Sequence, residues 1–536
     1  MSFDRHQNED SSESRDLVGL DSQVIKEFVC IPGPKPSLPW IGTGWQYFKY
    51  IGRYNLSKLH EANQHKYDTY GPIVKEEYEW GKPIIHIFDP KDFETVFRSQ
   101  GKCPMRPANE FVSHYRLQNK HKYPNVGLSN MMGEQWYQHR QLLAPALMSL
   151  KVIQNHIPSQ NQICDDFLDY LWQIRDPSND VLNDLSDATY RLALESICMM
   201  CLDSRLHCFL KDNTTTSDGQ LLISATKLLF ESYNELYYGI PFWKLFATNS
   251  YRKLDSAETC IYEIASKYIQ MGFNGSTRDQ TNANQSVLQT LLNTEGLTES
   301  DIKITIIDFI AGGIFTVSNT LCFLFYHLAS NPEVQHKLFQ EVSQVMGDSH
   351  LLTADMLADM PYLKACVKEC FRLTNTVPGI TRILPQPTVL SGYHVPQNRW
   401  LDESKKEFHA FALLPFGYGN RMCAGKRFSE LELYLSTAKL IQKYEITAIQ
   451  SKLDLKFSAL LELRQLEAGE RYARTHGPFG CTPRPSSEVS RTSLLGRPLK
   501  AGYRHRDPRY RKLQNVLYNF LERPRGCRAA SYHLLM

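Results

Sequence analysis

The residues best suited to chemistry lie in one stretch, 411–441, where three glycines surround Cys423: Gly417, Gly419 and Gly425. Glycines let a loop bend tightly and let its backbone approach a flat ligand closely. Arg421, two residues before the cysteine, favours the thiolate form, as does the N-terminus of the amphipathic helix predicted after Gly425. Loop amides can also donate hydrogen bonds to the sulfur. We interpret the stretch as a tuned thiolate against a flat ligand; the alternative is a glycine-rich turn with a chance cysteine.

Two further pairs of residues lie at helical spacing. Trp136 and Arg140 are four residues apart, and Glu369 and Arg372 are three apart, so each pair shares one face of a helix. Each pair also has a simpler interpretation. The first is compatible with an ordinary helix edge, and the second with a surface ion pair worth about 0.3 kcal/mol.

A long helix predicted over residues 301–328 contains two adjacent glycines, Gly312 and Gly313. Each glycine costs about 1 kcal/mol relative to alanine in a helix interior. A small ligand that must reach the helix backbone would account for both. The alternative is close packing against another helix.

The elements that position these residues are mainly helical. Residues 72–90 predict a β hairpin, and most segments between about 91 and 375 predict helices, most clearly 301–328 and 355–373. The chain divides into a disordered lead-in at 1–30, a large domain at 31–450 and a basic tail at 451–536. We expect a mainly α fold with small β regions.

Composition excludes several classes of protein. Hydrophobic residues make up 42% of the 536 residues, which is enough for a large core. The net charge of +3 argues neither for nor against a nucleic-acid partner, and we expect none. The thirteen cysteines lack a disulfide framework, and Cys198 and Cys201 lie in an apolar helical segment that we interpret as core. No apolar run is long enough to predict a spanning helix. The acidic N-terminus predicts neither a signal nor a clear transit peptide.

The pattern Phe416-Gly417-x-Gly419-x-Arg421-x-Cys423-x-Gly425 resembles the haem-binding signature of the cytochrome P-450 superfamily. The resemblance implies a single large haem domain and a monooxygenase activity. It implies that Cys423 is the axial ligand of the haem iron. The rest of the pattern would surround the haem: Phe416, Gly417, Gly419, Arg421 and Gly425.

The same resemblance assigns roles to the other pairs. Trp136 and Arg140 would meet a haem propionate, and Glu369, Arg372 and Arg399 would form a buried group that locks the core around the haem-binding loop. Gly312, Gly313 and Thr316 would form the catalytic oxygen site. The family usually has an acid before that threonine, whereas this chain has Phe315, so water or Asp308 is expected to serve instead.

Within the superfamily the chain resembles the mitochondrial clan of animals, especially the arthropod ecdysteroid hydroxylases. This implies a sterol-like apolar substrate, a site at the matrix side of the mitochondrial inner membrane and peripheral contact with that membrane. It also implies electrons from a small acidic ferredoxin, bound by a basic face: Lys364, Lys368, Lys426 and Arg427. Substrate contacts are expected from the segment around 104–130 and from four further residues: Phe309, Ile310, Val377 and Ile380.

Two departures from the family pattern leave alternatives open. The family has a longer segment, with strands and the meander that leads to the cysteine loop, where this chain runs directly from Val395 to Arg399. The tail after about 450 also differs. Splicing or a gene-model error would produce both. A form without catalytic activity, acting at most as a binding protein, is therefore the main alternative. A nucleic-acid-binding tail is a weaker one.

Overall fold

Helices form most of the protein, as the sequence predicts. The computed structural model describes residues 25–48, 50–209, 217–275, 286–347, 349–377, 379–396, 400–403, 411–449, 461–465, 491–492 and 498–499. Its α-helices are α1 Leu59–Tyr70, α2 Pro90–Ser99, α3 Glu110–Gln118, α4 Gly133–Met148, α5 Leu150–Asn155, α6 Ile157–Ile174, α7 Leu185–Leu202, α8 Asp218–Tyr238, α9 Asn249–Gly275, α10 Val287–Leu292, α11 Glu299–Ser330, α12 Pro332–Met346, α13 Ala354–Ala358, α14 Pro361–Leu373 and α15 Lys426–Lys443.

The strands are short and lie mostly at the two ends of the chain. They are β1 Ile73–Glu79, β2 Lys82–Ile87, β3 Val181–Leu182, β4 Arg382–Ile383, β5 Thr388–Leu390, β6 Tyr393–Val395, β7 Trp400–Glu403, β8 Tyr444–Ala448, β9 Leu461–Gln465, β10 Arg491–Thr492 and β11 Pro498–Leu499. Strands β1 and β2 form the predicted hairpin, with Ile73 opposite Ile87. Strand β7 lies between β2 and β4, so the residues directly after Arg399 belong to this sheet.

Helix α11 is the central helix. Thr298 caps it, because its side chain accepts from the Asp301 amide while the Asp301 carboxylate accepts from the Thr298 backbone. The helix ends before Pro332, which begins α12. By length and composition α11 could span a membrane, but 67% of its apolar window is buried inside the protein. It packs against α7, α8, α9, α12, α14 and α15, and therefore organises the core.

The structure differs from the sequence-based boundaries in three places. The helix predicted over 355–373 is two helices, α13 and α14, because Pro361 has no amide proton and begins a new one. Residues 25–30 of the expected lead-in are ordered, since Lys26 pairs with the β5–β6 hairpin through Gly392 and His394. Strand β9 pairs with β8 beyond the boundary at 450. Residues 1–24 and most of the tail lie outside the described residues.

Candidate haem site

The loop around Cys423 is built on two left-handed glycines. Gly417 and Gly419 have φ angles of 73° and 70°, a region that other residues rarely adopt. The Cys423 amide donates to the Phe416 carbonyl oxygen at 2.8 Å, and the Met422 amide donates to Gly419 at 3.0 Å. Helix α15 begins directly after Gly425. The loop therefore holds the cysteine at the N-terminus of a helix, as the sequence predicts.

Cys423 is an exposed residue, although protein atoms lie close around its thiol. Burial raises the pKa of this thiol, while backbone amides of Gly425 and Lys426 and the charges of Arg140 and Arg106 lower it. The contribution to the thiolate that we expect from Arg421 stays a prediction. Its guanidinium turns away and donates to Pro104 and Met131 carbonyl oxygens at 3.2 and 2.6 Å.

Three arginines from other parts of the chain lie around Arg421 of the cysteine loop: Arg106, Arg140 and Arg382. The pKa of Arg421 is lowered to about 9, first by burial and then by the other three guanidinium groups. Arg106 and Arg140 both interact electrostatically with Cys423, and burial lowers the pKa of each. Within the described ranges, no carboxylate is paired with Arg106, Arg140 or Arg421. Such a concentration of positive charge fits a ligand with more than one anionic group.

The structure brings the predicted Trp136–Arg140 pair into this cluster. Both residues lie on α4 and are buried, and the Arg421 guanidinium stacks 3.8 Å from the Trp136 ring. Arg140 donates to the Met422 carbonyl oxygen at 2.8 Å. Sequence reasoning missed Arg106 and Arg382. Neither lies in a motif that we used, and only the fold brings them beside residues that follow much later in the chain.

The two glycines of α11 have different surroundings. A Cβ atom on Gly313 would lie 3.0 Å from Ile197 of α7, whereas one on Gly312 would meet nothing within 4 Å. Gly313 therefore serves close helix packing, the alternative that we left open. Gly312 faces open space, and Thr316 donates to its carbonyl oxygen at 2.8 Å. Of the two glycines, only Gly312 therefore leaves open space beside the α11 backbone.

Phe315, which occupies the position of the family's acid, and Asp308, considered as its substitute, both contact other residues. Phe315 stacks on Phe230 of α8 with ring centroids 4.0 Å apart. Asp308 forms an ion pair with Arg116 at 2.7 Å. Of the two sources of protons that we considered, these contacts favour water over Asp308.

These observations match comparisons with known proteins. The model of the family described as cytochrome P450 matches residues 32–399 and 397–464. The chain belongs to the cytochrome P450 family. Ecdysone 20-monooxygenase of Drosophila melanogaster is 32% identical over 468 residues, which cover 80% of this chain and 86% of that protein. Cytochrome P450 302a1, mitochondrial, of the same species is 28% identical over 78% of this chain and 90% of that protein. Probable cytochrome P450 301a1, mitochondrial, also of that species, is 29% identical over 79% of this chain and 83% of that protein.

Members of this family are haem-dependent monooxygenases, and the residues around Cys423 fit that cofactor. The Cys423 thiol offers a ligand for iron, and the arginines offer partners for two propionates. The open face at Gly312 leaves the helix backbone accessible. Membership of the family confirms two predictions from the sequence: the mainly helical fold and haem iron as the cofactor.

The comparison with ecdysone 20-monooxygenase also shows that this chain is shorter within the matched region. The aligned 80% of its 536 residues is about 429 residues, whereas the alignment has 468 positions, so this chain has gaps at about 39 of them. The family model matches in two segments that meet at 397–399. Both findings agree with the short connection after Val395.

The Glu369–Arg372 pair is formed but is not buried. Arg372 donates to both carboxylate oxygens of Glu369 at 2.8 and 2.6 Å, while the two side chains are 43% and 52% exposed for arginine and glutamate respectively. The family resemblance implies a buried pair, so this is a difference. The expected third partner, Arg399, lies outside the described residues.

The expected substrate residues have unlike positions. The Phe309 ring would lie 3.7 Å from a Cβ atom built on Gly425. The Ile380 side chain would lie 3.4 Å from a Cβ atom built on Gly417, so both residues approach the cysteine loop. Ile310 is fully buried in the core, and Val377 is 43% exposed. Phe309 and Ile380 are therefore better placed than the other two to contact a substrate.

Proposed function

We propose that this protein hydroxylates a steroid of the ecdysteroid type in mitochondria, with electrons from a small acidic ferredoxin. The observation that carries the monooxygenase chemistry is the exposed Cys423 in a loop whose Arg421 lies among three further arginines. The steroid substrate is supported by the similarity to ecdysone 20-monooxygenase over 86% of that protein's length. The mitochondrial location is supported by similarity to several relatives that are named as mitochondrial cytochromes P450.

The residues around Cys423 have separate roles in binding haem and in leaving room for oxygen. Cys423 ligates the haem iron, and Trp136, Arg140 and Arg421, with Arg106 and Arg382, hold its propionates. When bound, haem supplies the activation of dioxygen. Gly312 leaves room beside the α11 backbone. The Thr316 oxygen can accept a hydrogen bond there, because its own proton is donated to Gly312.

The basic face for the ferredoxin is supported by a compact set of charges. Lys426 lies 4.0 Å from Glu430 on α15. Lys368 of α14 and Arg427 also interact electrostatically with Glu430. Lys364 is one helical turn from Lys368. Opposite charge on a partner would accelerate its encounter with this face and make binding sensitive to salt.

Peripheral membrane contact is supported by exposed apolar side chains in two segments. Trp40 and Ile51 are 82% and 68% exposed, and Leu245 and Phe246, after α8, are 81% and 60% exposed. The segments are close together, because Tyr47 packs on Tyr238 with ring centroids 4.8 Å apart. One side of the molecule thus presents several apolar side chains, as an interfacial protein requires.

A second candidate is a form of such an enzyme that has no catalytic activity and acts at most as a binding protein. It is favoured by the half-exposed Glu369–Arg372 pair and by the gaps in the alignment. The family resemblance implies that the absent segment packs beneath the cysteine loop. Without it, the loop would have its chemistry but less support.

A reduced carbon-monoxide difference spectrum separates the two candidates. The monooxygenase shows the thiolate-type band and, with NADPH, reductase and ferredoxin, adds one hydroxyl group to ecdysone. No band, or a band without turnover of any steroid, would contradict the proposal. For the partner, the double variant Lys364→Glu with Lys368→Glu should raise the ferredoxin concentration needed for half-maximal reduction about tenfold. Lys267→Glu, which reverses the charge of an exposed lysine on α9 outside this set, is the control.

A further inference from the structure

A carboxylic acid side chain lies deep in the helical core without a basic partner. Glu432 is in the second turn of α15, the helix that follows the cysteine loop, and only 1% of it is exposed. Neither of its carboxylate oxygens has a hydrogen-bond partner in the described part of the chain. A carboxylate in such a place is costly, because it has lost its water and nothing replaces that water.

The polar groups next to Glu432 lack a hydrogen-bond donor. The Ser196 hydroxyl of α7 is the side chain that interacts with Glu432, but the geometry is too poor for a full hydrogen bond. Gln160 of α6 donates from Nε2 to the Ser196 carbonyl oxygen at 3.1 Å, and its own Oε1 is buried without a partner. An ionised carboxylate can only accept, whereas a protonated one can also donate. A proton on Glu432 would therefore supply the donor that these oxygens lack.

The charged groups near Glu432 are already paired with each other. Lys439, on the same helix, is 2% exposed and lies 2.6 Å from Asp165 of α6. Glu195 of α7 is fully buried and lies 2.6 Å from Arg205. Each of these cations is therefore neutralised by another carboxylate, and neither contacts Glu432.

Burial dominates the protonation of Glu432. It raises the pKa of this carboxyl well above its usual range, and the Ser196 hydroxyl opposes it. Cys164 of α6 is a titratable neighbour, and its own pKa is raised by burial and further by the charge of Glu432. The helices α5, α11, α12 and α14 also pack against α15, but within the described residues none of them contributes a charge that offsets the burial of Glu432.

We propose that Glu432 is a neutral carboxylic acid in the folded protein and acts as a pH-sensitive element, whose ionisation at higher pH weakens the packing of α15 against α6 and α7. Folding then takes up one proton at this position. Because α15 begins directly after Gly425, the same ionisation would loosen the helix that holds the cysteine loop. The inference goes beyond the proposed function and does not depend on it, since it requires neither a substrate nor an electron donor.

Urea unfolding of the full chain and of Glu432→Gln, between about pH 5 and pH 8, tests the proposal. Glutamine keeps the shape of the neutral acid and cannot ionise. The unfolded carboxyl has a pKa of about 4.3, so a carboxyl with a higher pKa in the fold stabilises fully below that pH and progressively less above it. The unfolding equilibrium constant of the unsubstituted chain, divided by that of Glu432→Gln, should therefore rise about tenfold for each pH unit until the folded pKa is reached. Glu333→Gln, an exposed carboxylate on α12, is the control, and its ratio should stay constant. A constant ratio for Glu432→Gln would overturn the proposal.

Infrared spectroscopy covers the case in which Glu432→Gln does not fold. The folded, unsubstituted chain at about pH 8 should show the carbonyl stretch of a protonated carboxyl group, which disappears on thermal unfolding because the group then ionises in water. Glu430→Gln is the matched control, since Glu430 is two residues away on the same helix with Lys426 at 4.0 Å, and this variant should retain the band. Absence of the band from the folded chain, or its loss in Glu430→Gln, would overturn the proposal.

Discussion

The two sides of the proposed haem site differ in how completely they are built. On the cysteine side, Cys423 has two loop amides, a helix N-terminus and a set of arginines around it. On the supporting side, Glu369 and Arg372 form their pair at the surface, half exposed. Every element that contributes to the first side is present in the chain. The second side depends on the stretch where this chain is short relative to its relatives.

The difference shows that a motif can keep its residues while losing the setting that gives them their effect. An exposed ion pair contributes about 0–1 kcal/mol, because water and salt screen it. The same two residues inside a protein cost several kcal/mol to separate. The Glu369–Arg372 motif is therefore present in the sequence, but as an exposed ion pair it contributes little to the stability of the core.

The largest effect is expected on the complete side. Cys423→Ser should abolish haem incorporation, because serine does not provide the thiolate ligand. Cys201→Ser is the matched control, since Cys201 is buried in the core of α7 and should leave the haem spectrum unchanged. The absorbance spectra of the purified variants measure this. A serine variant at 423 with a thiolate-type spectrum would remove Cys423 from the site.

An intermediate effect compares a buried carboxylate with the exposed one. Glu76 is fully buried with Lys66 and His86, at 2.5 and 2.8 Å. Glu76→Gln should reduce the free energy of unfolding by about 3–5 kcal/mol, because it leaves a buried ammonium without its partner. Glu369→Gln should cost less than about 1 kcal/mol. Urea unfolding measures both, and equal losses would show that Glu369 is as important to the core as a buried residue.

The smallest effect concerns the two glycines of α11. Gly313→Ala should destabilise the protein by about 1 kcal/mol or more, because its new methyl group meets Ile197 at 3.0 Å. Gly312→Ala should stabilise it by up to about 1 kcal/mol through helix propensity, since its methyl group enters open space. The sign of the change in the urea midpoint shows whether each glycine is needed for helix packing or borders open space. Destabilisation by both would assign Gly312 to packing as well.

Short-range patterns in the sequence predicted much of this structure. The β1–β2 hairpin, the extent of α11 and the loop around Cys423 follow from residues close together in the chain, because turns, caps and glycine conformations are local. Arg106 and Arg382 could not be found this way. Their charges come together only once the segment between α2 and α3, strand β4 and the cysteine loop have packed against one another.

Local sequence patterns also cannot predict how exposed a side chain is or which distant residue packs against it. Gly312 and Gly313 are identical as residues, and only the position of Ile197 on α7 distinguishes them. The Glu369–Arg372 spacing predicts the pair, whereas its exposure depends on what the rest of the chain places over it. A one-dimensional pattern cannot report either property.

The most direct measurement of this account is haem occupancy with and without a family-length segment after Val395. The segment of the Drosophila ecdysone 20-monooxygenase is inserted between Val395 and Arg399, and a glycine–serine segment of equal length is the control. The ratio of haem to protein absorbance is then measured together with the thermal unfolding midpoint. The account predicts low occupancy in the chain as it stands and a rise in both quantities only with the native segment. Full occupancy in the unaltered chain would contradict it.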